Sequence, residues 1–161
     1  MKVGLGFDIH SFKKGRKLVL GGVRIDYPVG LEGHSDADVL VHSIMDALLG
    51  AAGMEDIGVH FPDSDIEYKN ISSITLLGKV GRKIAEAGYS IVNIDSVLIM
   101  EKPKIAPFTS EMKSKIATVL DIKESRINIK ATTSEGLGFC GRQEGAAAQS
   151  IALLLESSGT F

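Results

Sequence analysis

Residues 34–53 read HSDADVLVHSIMDALLGAAG. Ser35 is a good N-cap, and Asp36 and Asp38 place negative charge where a helix dipole favours it. Val39, Met45, Leu48, Leu49 and Ala52 supply one apolar face, so the pattern predicts a helix over 35–52. Upstream, Val3, Leu5 and Phe7 alternate with other residues and predict a strand over 2–9. Leu18-Val19-Leu20 and Val23-Arg24-Ile25 flank Gly21-Gly22 and predict a hairpin with a two-residue turn. Downstream, periodicity is lost over 53–70, around Gly53, Gly58 and Pro62, and a loop of that length is usually functional or mobile. Helical spacing returns over 72–87 with Ile74, Leu77, Val80 and Ile84 on one side and Gly88 as a stop. Residues 90–100 read as a strand. Pro107 suits the first turn of a helix with Met112, Ile116, Val119 and Leu120 inward. Ile127, Ile129 and Ala131 alternate as a last strand, and residues 143–156 read as a closing helix. Strands alternating with helices, without repeat or linker, predict one α/β domain over 1–161.

The chain has 161 residues, 44% hydrophobic and 24% charged, enough to build a core without disulfide or metal staples. A net charge of −2 from 18 basic and 20 acidic residues argues against a nucleic-acid binder. The single cysteine, Cys140, excludes an internal disulfide and a Cys-rich zinc finger. No apolar run reaches a membrane span, and MKVGLGFDIH does not read as a signal peptide, so a cytoplasmic protein is expected.

Asp8 and His10 lie two positions apart on the first strand, which puts both on one face. His42 sits one turn after Asp38 and one turn before Asp46, so these three share a helix face. Two imidazoles and a carboxylate make a three-ligand zinc set with the fourth position open. Asp38 or Asp46 would then hold the second nitrogen of His42. Spacing alone leaves a solvated strand end as the alternative. His34-Ser35-Asp36 opens the predicted helix, where free N–H groups either bind an anion or are merely capped. In Thr132-Thr133-Ser134-Glu135, hydroxyls and N–H groups suit phosphate and the acid suits a hard divalent ion, with a plain polar turn as the alternative. Residues 136–141 match G-x-G-x-x-G, but the second strand and ribose-binding acid of a dinucleotide fold are missing beyond them. Cys140 reads as a small buried hydrophobe. His60 reads as a ligand or an exposed loop histidine.

The segments GLGFDIH, GHSDADVLVHSIMDALLGAAG, DIGVHFPDSD, KATTSEGLGF and GRQEG together resemble the 2-C-methyl-D-erythritol 2,4-cyclodiphosphate synthase family over essentially the whole chain. The resemblance implies an α/β (α+β) sandwich, one mixed sheet with helices on one face. It implies a homotrimer with these sheets around the three-fold axis and active sites between subunits. The implied reaction is closure of 4-diphosphocytidyl-2-C-methyl-D-erythritol 2-phosphate to the cyclic diphosphate with loss of CMP, in the non-mevalonate route to isoprenoids. The implied zinc ligands are Asp8, His10 and His42, and Glu135 would meet a second divalent ion, magnesium or manganese. His34 and Thr133 match transition-state stabilisers. Asp8, Ile9, His10, His34 and Ser35 match substrate contacts, as do Asp56, Ile57 and Gly58. Phe61, Pro62, Asp63, Ser64 and Asp65 match the region around the methylerythritol. Met100, Glu101, Lys102, Pro103, Lys104, Ile105 and Ala106, with Ala131, Thr132, Thr133, Ser134 and Glu135, match the cytidine and phosphate pocket. Phe139, Arg142 and Glu144 match residues near a three-fold cavity able to hold an isoprenoid diphosphate.

Four positions depart from the family pattern. Met100 stands where many members have alanine, Glu101 where a neutral residue is common, and Ile105 and Ala106 replace a larger pair; these leave the packing around cytosine open. Two other functions compete: a zinc-dependent phosphohydrolase, and a non-catalytic trimer that binds isoprenoid diphosphates. No nucleic-acid or membrane partner is expected.

Overall fold

The computed structural model describes residues 1–62, 64–68 and 70–156. Its main sheet is built from β1 (Lys2–Lys14), β4 (Val29–Leu31), β5 (Tyr89–Ile99), β6 (Ile127–Thr132) and β7 (Gly145–Glu156), in the order β4-β1-β7-β5-β6. β5 and β6 are parallel and the other pairs antiparallel, so the sheet is mixed. β2 (Leu18–Leu20) and β3 (Val23–Ile25) form a separate hairpin. Its turn residues Gly21 and Gly22 both have left-handed φ, 57° and 73°, which matches the twist of the strands. The helices are α1 (Val39–Ala52), α2 (Ile57–His60), α3 (Ser73–Glu86), α4 (Thr109–Leu120) and α5 (Gly138–Gly141).

Alternation along β1 sorts the two faces. Gly4, Gly6, Asp8 and His10 pair with Ala152, Ser150, Ala148 and Ala146 of β7 and face α1, whereas Val3, Leu5, Phe7 and Ile9 lie exposed on the other side. The glycines set how close α1 comes. A Cβ on Gly6 would lie 1.9 Å from the Ser43 carbonyl oxygen, and one on Gly4 would lie 2.1 Å from that of Ala47. Glycine therefore lets helix backbone rest on strand backbone, which brings His42 down onto Asp8 and His10. Beneath that contact, Ser150 Oγ meets Ser43 Oγ at 2.7 Å and Ser96 Oγ at 2.8 Å, which satisfies three buried hydroxyls. Gly6→Ala must push α1 outward. We expect a loss of about 1–3 kcal/mol in urea unfolding, together with weaker divalent-metal uptake in a titration.

α1 begins four residues later than the pattern predicts. Ser35 does not cap it; Asp38 does, accepting from Val41 N at 3.1 Å. The same carboxylate accepts from Gly21 N at 3.0 Å and Gly22 N at 2.7 Å, so it pins the hairpin to the helix. Ala37, at φ 58°, breaks the helix upstream. Burial, and then the charge of Asp36, push the Asp38 carboxyl up to about 6 against these three donors. Its ordinary value is 3.8, so folding favours the protonated acid. That contribution to stability is complete below about pH 4 and is lost as pH rises through about 6. Urea midpoints of the wild type should show this loss relative to Asp38→Asn, which cannot titrate.

The largest correction concerns residues 143–156. They form no closing helix but β7, paired with β1 on one side and β5 on the other. GAAAQSIALLLE has helix-forming composition, and tertiary pairing overrides it. Its alanines are small because α1 and the neighbouring strands press on them; Ala146, Ala147, Ala148 and Ala152 are all buried. β6 is consequently an edge strand rather than the last one. The predicted loop over 53–70 contains α2 and a 3-10 turn at Ile66–Tyr68.

Candidate active site

Asp8 and His10 arrive from β1, and His42 from the first turn of α1. Asp8 Oδ2 lies 2.9 Å from His10 Nε2 and 3.0 Å from His42 Nδ1, and the two imidazole nitrogens are 3.1 Å apart. Three ligand atoms on a tetrahedral ion with bonds of 2.0–2.1 Å would stand about 3.3 Å apart. The triangle is close to that spacing, and its two nitrogens and one oxygen suit zinc. Burial works against the charge on Asp8, yet His10 and His42 together hold its carboxyl well below the usual carboxylate range. Burial likewise opposes the His42 imidazolium, but Asp8 raises its pKa above the ordinary histidine value. Neither Asp38 nor Asp46 holds the second nitrogen of His42. Asp38 is committed to backbone N–H groups, and Asp46 Oδ1 accepts from Ile57 N at 2.9 Å. His42 Nε2 instead meets Ser73 Oγ at 2.9 Å and Ser35 Oγ at 3.2 Å.

The triad sits in a cleft of about 280 Å³ lined also by Gly33, His34, Ser35, Met45, Ile57, Gly58, Phe61, Tyr68 and Leu76. Asp56 organises one wall. Its carboxylate caps α2, accepting from Gly58 N at 2.8 Å and Val59 N at 3.1 Å. Asp46 accepts from the preceding N–H, that of Ile57, so α1 and Asp56 jointly fix this wall over the triad. His34 Nε2 is buried at the cleft without a hydrogen-bond partner among the described residues. A buried polar atom costs free energy unless it is paired, so this nitrogen is poised for an incoming polar group. Ile9 points to the opposite face of the sheet, leaving only its backbone to this site. Pro62, Ser64 and Asp65 follow the α2 wall; Asp63 lies outside the described residues. His60 is not a ligand of the triad, since its Nε2 contacts Met54 O at 2.6 Å. Met45, Tyr68, Leu76 and Ser73 were not expected at the site.

The second group of expected site residues is elsewhere on the chain. Residues 100–106 follow β5, and residues 131–135 end β6 and leave it; none of them lines the cleft. Register places His10 beside Ala146, Ala147 beside Ile99, and Ile99 beside Thr132. Three strand spacings therefore separate the triad from Thr132, about 14 Å. Ala131, Thr132, Thr133 and Glu135 are exposed. Glu135 adopts φ 53° and accepts from Thr133 Oγ1 at 2.8 Å. Glu101 turns to the segment that follows β6. Its Oε1 accepts from Ser134 N and Ser134 Oγ, both at 3.0 Å, and these donors hold its carboxyl below the ordinary value. It thus braces the turn that presents Thr133 and Glu135. Met100 and Ile105 are buried in the core, so the departures at these positions change packing beneath the segment. The exposed groups it offers are Lys102, Lys104, Ala106 and backbone. Phe139 is half-buried, and Arg142 makes a two-point pair with Glu144 at 2.8 and 3.0 Å. Cys140 is buried as expected, and burial pushes its thiol pKa up. Among the described residues no helix is long and apolar enough to cross a membrane.

The family model described as "YgbB family" matches residues 1–155. The chain is 56% identical over 156 residues to a 2-C-methyl-D-erythritol 2,4-cyclodiphosphate synthase of Prosthecochloris aestuarii, covering 97% of this chain and 99% of that one. It is 58% identical over 155 residues to a protein of the same name from Clostridium acetobutylicum, covering 96% and 100%. Among solved structures, the bifunctional IspDF from Campylobacter jejuni superposes with a TM-score of 0.93 at 48% identity, over 96% of this chain. The present chain spans 42% of that bifunctional protein. The CDP complex of IspF from Plasmodium falciparum superposes with a TM-score of 0.85 at 36% identity, over 98% of this chain and 97% of that one. With its sequence matched almost end to end and its fold shared, this chain belongs to the YgbB family.

Proposed function

We propose that the protein, acting as one domain over 1–161, is a lyase that converts 4-diphosphocytidyl-2-C-methyl-D-erythritol 2-phosphate to 2-C-methyl-D-erythritol 2,4-cyclodiphosphate and CMP in isoprenoid biosynthesis. The observation that carries this is identity of 56% and 58%, nearly end to end, to proteins bearing that activity as their name. The convergent Asp8, His10 and His42 donors support it from the chemistry. An oxygen of the 2-phosphate attacks the β-phosphorus, the bond from that phosphorus to the CMP oxygen breaks, and CMP leaves with the electron pair. Such a transfer needs alignment and charge neutralisation more than acid–base groups. Zinc at the triad and magnesium or manganese at Glu135 would neutralise phosphate charge when bound. His34 donates from its free Nε2 to a phosphoryl oxygen. Thr133 does so from the other side by swinging its hydroxyl proton from Glu135 to the substrate, and the Asp56–Phe61 wall folds the polyol into line. A charged nucleotide substrate fits a cytoplasmic enzyme.

The active site is composite. In one chain the triad and the 131–135 turn are too far apart to grip one diphosphate, and the sheet leaves Val3, Leu5, Phe7, Ile9, Ile151 and Leu155 exposed on its helix-free face. A homotrimer with these faces inward covers the apolar surface and brings residues 100–106 and 131–135 of one copy to the triad of the next. The 139–144 turn then lies near the three-fold axis, where an isoprenoid diphosphate would find Arg142. Incubation with the cytidyl substrate, zinc and magnesium, followed by phosphorus NMR, tests the reaction. CMP with the cyclic diphosphate is expected. A linear product with free phosphate would mean a zinc phosphohydrolase, and no turnover at all would mean a binding protein.

A further inference from the structure

Behind the metal triad stands a second layer of side chains that the reaction does not use. Ser73 opens α3 and is fully buried. Its hydroxyl lies 2.9 Å from His42 Nε2 and is also in contact with Asp36 Oδ1, while its backbone N–H donates to Asp36 Oδ2 at 3.0 Å. A carboxylate oxygen only accepts, so the Ser73 hydroxyl proton is committed to Asp36. The Ser73 oxygen can then serve His42 only as an acceptor, which places a proton on Nε2. Nδ1 faces Asp8 and His10 and donates to the Asp8 carboxylate at 3.0 Å; a metal that takes that place meets the Nδ1 lone pair while Nε2 keeps its proton. Ser35 Oγ is the weaker partner of Nε2, farther away at 3.2 Å; it accepts from Ala37 N and has a second lone pair for the Nε2 proton.

We propose that Ser73 and Asp36 are positioning residues that lock His42 in its Nε2–H tautomer and so present the Nδ1 lone pair to the metal. This rests on reading Asp8, His10 and His42 as the zinc set. The same relay fastens the residues around His34 to the start of α3. Asp36 N donates to Ile71 O at 3.2 Å and Asn70 N donates to His34 O at 2.9 Å, alongside the Ser73–Asp36 pair. Asp36 thus connects the orientation of a metal ligand to the loop that carries His34. Outer partners of this kind tune metal affinity by fixing the ligating ring, typically by 10- to 100-fold.

The test begins with the zinc-loaded wild-type protein. Imidazole nitrogen shifts should show His42 protonated at Nε2 and unprotonated at Nδ1; a bare Nε2, or zinc on Nε2, would overturn the proposal. Ser73→Ala keeps the backbone N–H to Asp36 and removes the hydroxyl. It should give faster solvent exchange of the Nε2 proton and about 10- to 100-fold weaker zinc binding in chelator competition, with the circular dichroism spectrum unchanged. Asp36→Asn should move both readouts the same way. Wild-type proton exchange together with wild-type zinc affinity in Ser73→Ala would refute the relay. The wild-type spectrum decides the point even where a variant fails to fold. A wild-type protein that binds no zinc would refute the metal reading instead, which keeps the two failures apart.

Discussion

His42→Ala is expected to fold, to lose zinc, and to lose turnover by on the order of a thousandfold. Two ligands, Asp8 and His10, remain, and a two-ligand site does not hold zinc against solvent as three donors do. The side chain is buried, and truncation removes one partner each from Ser73 and Ser35, which keep Asp36 and Ala37 N, at a cost of about 1–3 kcal/mol. The core of α1 against β1 and β7 does not depend on it, since Ile44, Met45, Leu48 and Leu49 remain fully buried. Metal analysis, circular dichroism and product formation measure the three outcomes separately. Full zinc content in the variant would show that the triad is not the metal site.

Glu135→Gln should behave differently. Zinc content stays at the wild-type level, while the single-turnover rate falls by about 100- to 1,000-fold. Glu135 is exposed on a turn braced by Glu101 and has no imidazole near it in sequence, so its carboxylate suits a magnesium-like ion held against substrate oxygens. Glutamine keeps the shape and removes the charge. Zinc loss on mutation, or an unchanged rate at saturating magnesium, would show that the residue has another role.

Spacing made the triad a candidate, with a solvated strand end beside it, and the resemblance made it the expected zinc set. Two positions along a strand share a face, but the approach of α1 that Gly4 and Gly6 permit was not read from the sequence. The partners of His42 were not legible. Helical spacing offered Asp38 and Asp46, but each is engaged by backbone N–H groups from distant loops, and the serine that replaces them comes from α3. The helix misread over 143–156 has the same origin. Ala146–Ala148 and Leu153–Leu155 favour a helix in isolation, and the signal that makes them a strand is the space left between β1 and β5. The turn at 133–136 was expected near phosphate, but its distance from the triad depends on strand order, which no local pattern contains.

In the proposed trimer one active site is shared by two copies, the triad from one and Glu135 from the next. Equal amounts of His42→Ala and Glu135→Gln proteins, unfolded and refolded together, test this sharing. Random assembly of trimers gives about a quarter of interfaces both wild-type residues, so activity should rise to about a quarter of the wild-type value. Either variant refolded alone should stay near zero. If the mixture is no more active than the variants apart, although mass spectrometry shows mixed trimers, the site lies within one chain and the account is wrong.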